Sequence, residues 1–334
     1  MARKTTLLVL AVFVCASWTP ASTSATGQAV LRAAPTSPAP LDTPPGERIV
    51  RFPTNRAMGE LFVHDWGSAG GWKPLGEARG NVVVPAGKGL LLWIRRTDST
   101  DLSPLASLGP SDLEALDFQG LGLRDADLAH LEGLTLVQNL ILADTQISDA
   151  GLAHLKGLTA LKHLELKNTK VGDAGLAHVK HLPSLQYLSL SNTQVTDEGL
   201  AQIESMSSLC ILQLTRTRIS DAGLAHLSGL TSLQLLHLGN TAIGDAGLAH
   251  LDGLTSLTQL YLHNTRVTDA GLAHLKGLRS LRILSLSTPE VGVSGELHVL
   301  GLDWSGNRKI LRSGITEEGI AELKKALPDC QIVK

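Results

Sequence analysis

The phrase DAGLAHLKGLTALKHLELKNTKVG, Asp149 to Gly172, is followed at once by DAGLAHVKHLPSLQYLSLSNTQVT. The period is 24 residues, and it runs through more than half of the chain. One glycine marks it at Gly151, Gly175, Gly199, Gly223, Gly247 and Gly271; Asp127 holds the same phase one period earlier and Gly319 two periods later. A repeat of this length is one supersecondary unit that cannot bury its apolar face alone, so neighbouring units must stack and share a core. The composition agrees. Hydrophobic residues make up 43% of the 334 residues but aromatic ones only 3%, which suits many small leucine-filled layers better than one large globule.

Within one unit, Leu164 and Leu166 alternate with Glu165, the pattern of a short strand with one face buried. The turn KNTKVG follows, with Val171 pointing inward. Asp173 stands where a side-chain oxygen caps a helix start, and the spacing predicts the same role for Asp149, Asp197, Asp221, Asp245 and Asp269. Leu176, Val179 and Leu182 then recur on one helical stripe. Stacked units place parallel strands about 4.8 Å apart. Helices are wider than strands, so the stack curves, strands inside and helices outside. Thr145, Thr169, Thr193, Thr217, Thr241 and Thr265 fall at the turn after each strand, and their hydroxyls are expected to bond the turn backbone of the adjacent unit.

The motif L-x-x-L-x-L followed by the turn threonine resembles the leucine-rich repeat. The SDAGLAHL helix is similar to that of ribonuclease-inhibitor-like and F-box-associated arrays. The final phrase ELKKALPDCQIV resembles the end of exported leucine-rich repeat proteins of large-genome bacteria. The resemblance covers residues 105–334 and implies an α/β solenoid, a curved horseshoe with parallel strands on the concave face and short helices on the convex face. It does not fix a function, because this fold hosts inhibitors, receptors, adaptors and adhesins alike.

The other segments differ in texture. Residues 1–25 read as a signal peptide: a basic start, an apolar core too short to span a bilayer, and small residues ending at Ala25. If uncleaved, this leader would be the one route to a membrane. Residues 26–46 are rich in Ala, Pro and Thr and read as a solvated tether. Residues 47–98 carry short β-branched and aromatic runs between Gly-rich turns, a small all-β unit of four or five strands capping the array. It holds Trp66, Trp72 and Trp93, three of the five tryptophans; at least two are expected in its core, and sugar stacking is the other use open to them. Cys15 leaves with the leader, and Cys210 and Cys330 sit too far apart in a solenoid to form a disulfide.

Formal net charge is −2, with no basic cluster of the kind a nucleic acid needs. His130, His154, His178, His226, His250 and His274 share one helix position, replaced once by Gln202. They are read as hydrogen-bonding filler between helices; a metal site needs converging ligands, and no metal or other cofactor is expected. Recognition belongs to the positions that vary. On the outward strand positions lie Tyr187 and Tyr261, the only tyrosines, with Gln213, His237 and His263. His237 is expected beside Tyr261, and this group is expected to be an exposed ligand-binding patch. Segment 288–314 breaks the pattern, either as a contact loop or as a degenerate terminal repeat.

No nucleophile–base pair or phosphate-cradling loop is found. The expectation is a non-enzymatic, monomeric binding or scaffold protein, exported to the periplasm, cell envelope or exterior, that recognises a protein or peptide on its concave face. Two alternatives stand beside it: an adaptor that selects substrates for ubiquitin transfer, as the F-box resemblance implies, and carbohydrate binding by the β unit.

Overall fold

The computed structural model describes residues 46–65, 71–95, 101–287 and 314–334. The expected leader, nearly all of the tether, Trp66 and almost the whole irregular segment lie outside these residues.

Five strands open the described chain: β1 (Arg48–Arg51), β2 (Glu60–Asp65), β3 (Lys73–Glu77), β4 (Asn81–Val84) and β5 (Lys88–Trp93). β1 and β4 form an antiparallel pair of their own. The other three continue the sheet of the repeats, because β5 pairs in parallel with β6 (Ala115–Asp117), while β2 and β3 extend it antiparallel at the edge. Each later unit then adds a three-residue strand: β7 (Asn139–Ile141), β8 (His163–Glu165), β9 (Tyr187–Ser189), β10 (Ile211–Gln213), β11 (Leu235–His237), β12 (Gln259–Tyr261), β13 (Ile283–Ser285) and β14 (Gln331–Val333). The result is one sheet of twelve strands, parallel from β5 to β14.

The junction of the β unit with the array is polar but closed. Nε2 of His64 in β2 lies 3.0 Å from Oε2 of Glu114, just before β6, and both side chains are buried. Trp72 packs tilted against the His64 ring, centroids 4.1 Å apart and 49° between planes, and is buried as core. Trp93 packs at 6.1 Å against Phe62 with the Arg95 guanidinium over its ring.

The middle residue of each strand faces the core. Leu140, Leu164, Leu188, Leu212, Leu236, Leu260 and Leu284 are all 0% exposed. With the leucines of the turns and helices they form a single apolar cluster from Val50 to Cys330. On the convex side lie α1 (Asp149–Leu152), α2 (Asp173–Val179), α3 (Asp197–Ala201), α4 (Asp221–Leu224), α5 (Asp245–Leu248), α6 (Asp269–His274) and α7 (Glu317–Ala326). Several continue into a single 3₁₀ turn, so each covers little more than its own layer.

The aspartates do not cap their own helices, as the sequence suggested. They are the first helical residues, and the preceding Ser, Thr or Gly holds the cap position. Each carboxylate reaches forward instead. Asp173 accepts from the Thr196 amide at 2.7 Å and from its hydroxyl at 2.7 Å. Asp197 bonds Ser220 and Asp245 bonds Thr268 in the same double way. Asp149 and Asp221 accept only the amides of Gly172 and Gly244. This ladder explains the repeated glycine: a Cβ on Gly175 would lie 2.6 Å from Oδ1 of Asp149, and Gly151, Gly199, Gly223, Gly247, Gly271 and Gly319 meet the same obstacle. The side chain that joins two coils occupies the space a second side chain would need.

The turn threonines are likewise corrected. Each hydroxyl donates to the carbonyl three residues back in its own unit, as Thr169 does to Leu166 at 2.6 Å and Thr193 to Leu190 at 2.6 Å. They close their own turn; between units the link is made by backbone amides and by the residue just before each threonine.

The phase break near the end does not leave a gap. β14 pairs directly with β13, α7 packs on α6, and Asp269 bonds the amide and hydroxyl of Thr316 at 2.8 and 2.7 Å, 47 residues on. The extra residues are inserted between β13 and its helix, so the outer row lacks no member there.

Asp173→Ala strands two donors of the following coil and Asp149→Ala strands one. The first should lower unfolding stability by about 1 kcal/mol more than the second, the worth of one net hydrogen bond. Urea titrations of the two variants check this; equal losses would mean that the ladder does not tie coil to coil.

Candidate functional site

Three-residue strands with their middle residue in the core put residues one and three on the concave face. Parallel pairing in step turns these into straight rows. The row of third residues runs Glu165, Ser189, Gln213, His237, Tyr261. Beyond it lies the row Lys167, Ser191, Thr215, Gly239, His263.

All five residues picked from the sequence as ligand anchors sit on this face, but they are not exposed. Tyr187 is 8% exposed, Tyr261 3%, Gln213 1%, and His237 and His263 0%. Part of the reason is lateral. Strand spacing lets flat rings stack face to face: His163 on Tyr187 with centroids 3.9 Å apart and 7° between planes, His237 on Tyr261 at 3.8 Å and 12°. His263 folds over Gly239 and fills the place a Cβ there would take. Curvature also drives inner side chains together.

Some of these groups satisfy one another. The Tyr187 hydroxyl donates to Oε2 of Glu165 at 2.8 Å, Tyr261 donates to Oε1 of Gln259 at 2.9 Å, and Ser189 donates to Oε1 of Gln213 at 3.2 Å. Others do not. Nε2 of Gln213, Oγ of Ser191, Oγ1 of Thr215 and both ring nitrogens of His237 are buried with no hydrogen-bond partner among the described residues. These atoms lie side by side on β9 to β11 and the residues just after them. An unmet buried polar group costs about 1–3 kcal/mol, so such a cluster is a liability for stability alone.

Burial also sets the charges. It pushes His163 and His237 down to about 3, and burial with the nearby Arg216 pushes His263 to about 4. The imidazoles are therefore neutral near pH 7. Burial raises the Glu165 carboxyl, against the pull of hydrogen bonds from Ser189 and Tyr187. Asp117, at the start of the same row, rises to about 6 from burial.

The recurring histidines of the convex side stay half-buried or exposed. His154 bonds Glu132 at 2.7 Å and His226 bonds Glu204 at 3.1 Å, each glutamate belonging to the preceding coil. Both glutamates lie 22 residues back, off the phase of the repeat. No group of three or more metal-ligating side chains occurs among the described residues.

The sequence reading also missed a row of left-handed residues. Asp144, Asn168, Asn192, Arg216, Asn240 and Asn264 have φ between 53° and 61°. The amides pass hydrogen bonds from coil to coil: Asn192 to Asn168 at 2.6 Å, Asn168 to Asp144 at 2.6 Å, Asn264 to Asn240 at 2.8 Å. The recurring Asn-Thr pair was the available signal, since Asn tolerates this conformation.

Two family profiles described as leucine-rich repeat match the chain, over residues 207–267 and 181–203. Both segments lie within the parallel array, and the strand, turn and helix of each coil carry the motif's leucines at 0% exposure. The chain is a leucine-rich repeat protein. A search of curated proteins found no match. Among solved structures, internalin C2 of Listeria monocytogenes is 27% identical over 58% of this chain and 79% of that one, with a TM-score of 0.43. A second internalin of the same organism is 20% identical, covering 71% of this chain and 76% of its own, with a TM-score of 0.38.

For His237 the folded value lies below the ordinary histidine range near 6.5. The unfolded chain therefore binds the extra proton between about pH 6.5 and 3, and stability falls as pH drops through that window. Asp117 and Glu165 are raised and act with the opposite sign, losing stability as pH rises. His237→Phe keeps a ring on Tyr261 and removes one titration. Its stability should decline less steeply below pH 6, by up to about 1.4 kcal/mol per pH unit. Parallel pH profiles of the two chains would contradict this.

Proposed function

We propose that this chain is an exported, non-enzymatic scaffold that holds a protein or peptide partner against the concave face of its leucine-rich repeats. The fold is that of a protein-interaction scaffold. The observation that carries the reading is the cluster of buried, unpartnered polar atoms on Gln213, Thr215, Ser191 and His237, neighbours on the inner face; one further such atom there, Oδ1 of Asn139 on β7, lies apart from them. A partner that supplies hydrogen bonds there would recover what folding leaves unmet. Trp72 is core beside His64 and is not free to stack on a sugar, which weakens the carbohydrate reading of the β unit.

The five residues named as anchors remain the proposed site, with a changed role. Rings already stacked and buried act as a stiff bed, and the unmet atoms between them, equally covered, take a partner's hydrogen bonds when the side chains over them part. Gln213→Leu keeps the volume and deletes the unmet amide nitrogen together with the Oε1 that accepts from Ser189, two changes that offset in stability. Against peptides selected on the full-length chain from a displayed random library, it should weaken binding at least tenfold, about 1.4 kcal/mol. Its melting temperature should stay within about 2 °C. Selected peptides that bind the variant as tightly would place recognition elsewhere.

Export is supported by the basic, apolar and small-residue succession of residues 1–25. Among the described residues no helix is long and apolar enough to cross a membrane. Sequencing the mature protein from an envelope or culture fraction should find it beginning after Ala25. An intact Met1 in the cytoplasmic fraction would revive the substrate-selecting adaptor instead.

A further inference from the structure

One position on the concave rim departs from its row. At the left-handed residue of the turn, five of six coils place Asn or Asp, and the coil of β10 places Arg216 at φ 60°. Arginine has no short side chain to bond its own backbone there, so it is strained where asparagine is at ease. It also breaks the amide ladder: Asn192 bonds backward to Asn168 and Asn264 to Asn240, but the bonds into and out of residue 216 are missing. The interruption falls on the coil of Gln213 and Thr215, beside His237. Among the described residues the Arg216 guanidinium has no carboxylate and no hydrogen-bond acceptor.

The neighbours favour an acceptor-rich guest. Just beneath the surface lie the unmet amide nitrogen of Gln213, the hydroxyls of Thr215 and Ser191 and the ring of neutral His237, donors that a guest reaches when the side chains over them part. The backbone amide of Arg216 bonds Gly239 at 3.0 Å, so its side chain starts next to the one coil without a Cβ in that row. His263, folded over Gly239, feels the Arg216 charge. A half-buried, unpaired guanidinium at the edge of a neutral donor cluster fits a carboxylate, which takes two parallel hydrogen bonds from it.

Resting on the concave-face reading above, we propose that the cluster is a subsite for an acidic side chain of the protein partner, with Arg216 as the specificity-determining residue. Strain and a broken ladder are retained at this coil because an asparagine in the same place would stabilise the array and lose the charge.

The test uses the full-length chain and two capped tripeptides, acetyl-Gly-Glu-Gly-amide and acetyl-Gly-Gln-Gly-amide, followed by NMR titration. The Glu peptide should bind at least tenfold more tightly than its near-isostere and shift the Gln213 and His237 side-chain signals. Arg216→Asn should abolish that preference and raise the melting temperature by about 2 °C or more, since the introduced amide rejoins the ladder. Equal binding of both peptides at those signals would overturn the acidic subsite and leave the concave-face reading standing. Absence of binding by either, or shifts confined to other residues, would overturn both. A preference that survives Arg216→Asn, or a melting temperature that falls in it, would show Arg216 to be structural and sink the proposal. Galacturonate binding as tightly as the Glu peptide would also overturn it, by moving the carboxylate from a protein to a glycan.

Discussion

No coil of this molecule can bury its own leucines. That constraint sets the rest. A three-residue strand, a turn and one or two turns of helix expose more apolar surface than they hide, and only a neighbour in step removes it from water. The shared core then runs unbroken from the β unit to the last strand. Register is held by two polar systems at its margins. On the convex side each aspartate bonds the start of the following coil, pressed against a glycine that cannot be anything larger. On the concave rim the left-handed amides do the same. Both satisfy backbone or side-chain groups that apolar stacking alone would leave unmet.

The same order makes departures informative. A coil in a regular stack inherits its solution from its neighbours, so a residue that breaks a ladder or leaves polar atoms unpaired lowers stability without helping the fold. Arg216 breaks one ladder, and Gln213, Thr215 and His237 leave buried atoms unpaired within the same two coils. Packing explains neither. Recognition of a hydrogen-bonding partner is the role we propose for both.

Much of the architecture was legible from spacing. The 24-residue period, the alternation around Leu164 and the stripe of Leu176 and Val179 predict strand, helix and stacking, because periodic burial is a property of local sequence. The roles of the polar repeats were not legible in the same way. Asp173 looks like a cap for its own helix and instead serves the next one. Thr169 looks like a link between coils and closes its own turn. Tyr261 and His237 look like exposed anchors and are buried in a stack. Asp173 finds its partner 23 residues on and His237 finds Tyr261 on the adjacent strand, while Thr169 turns back to a carbonyl three residues away; which of these wins depends on how closely the coils approach.

The sequence by itself determined that this chain stacks, and which leucines face inward, since any 24-residue unit with this apolar spacing has one way to hide it. Only the tertiary structure decided what the polar residues do. A hydrogen bond depends on ångströms and angles between side chains of different coils, and those are fixed by the packing distance between neighbours, a quantity no single repeat contains.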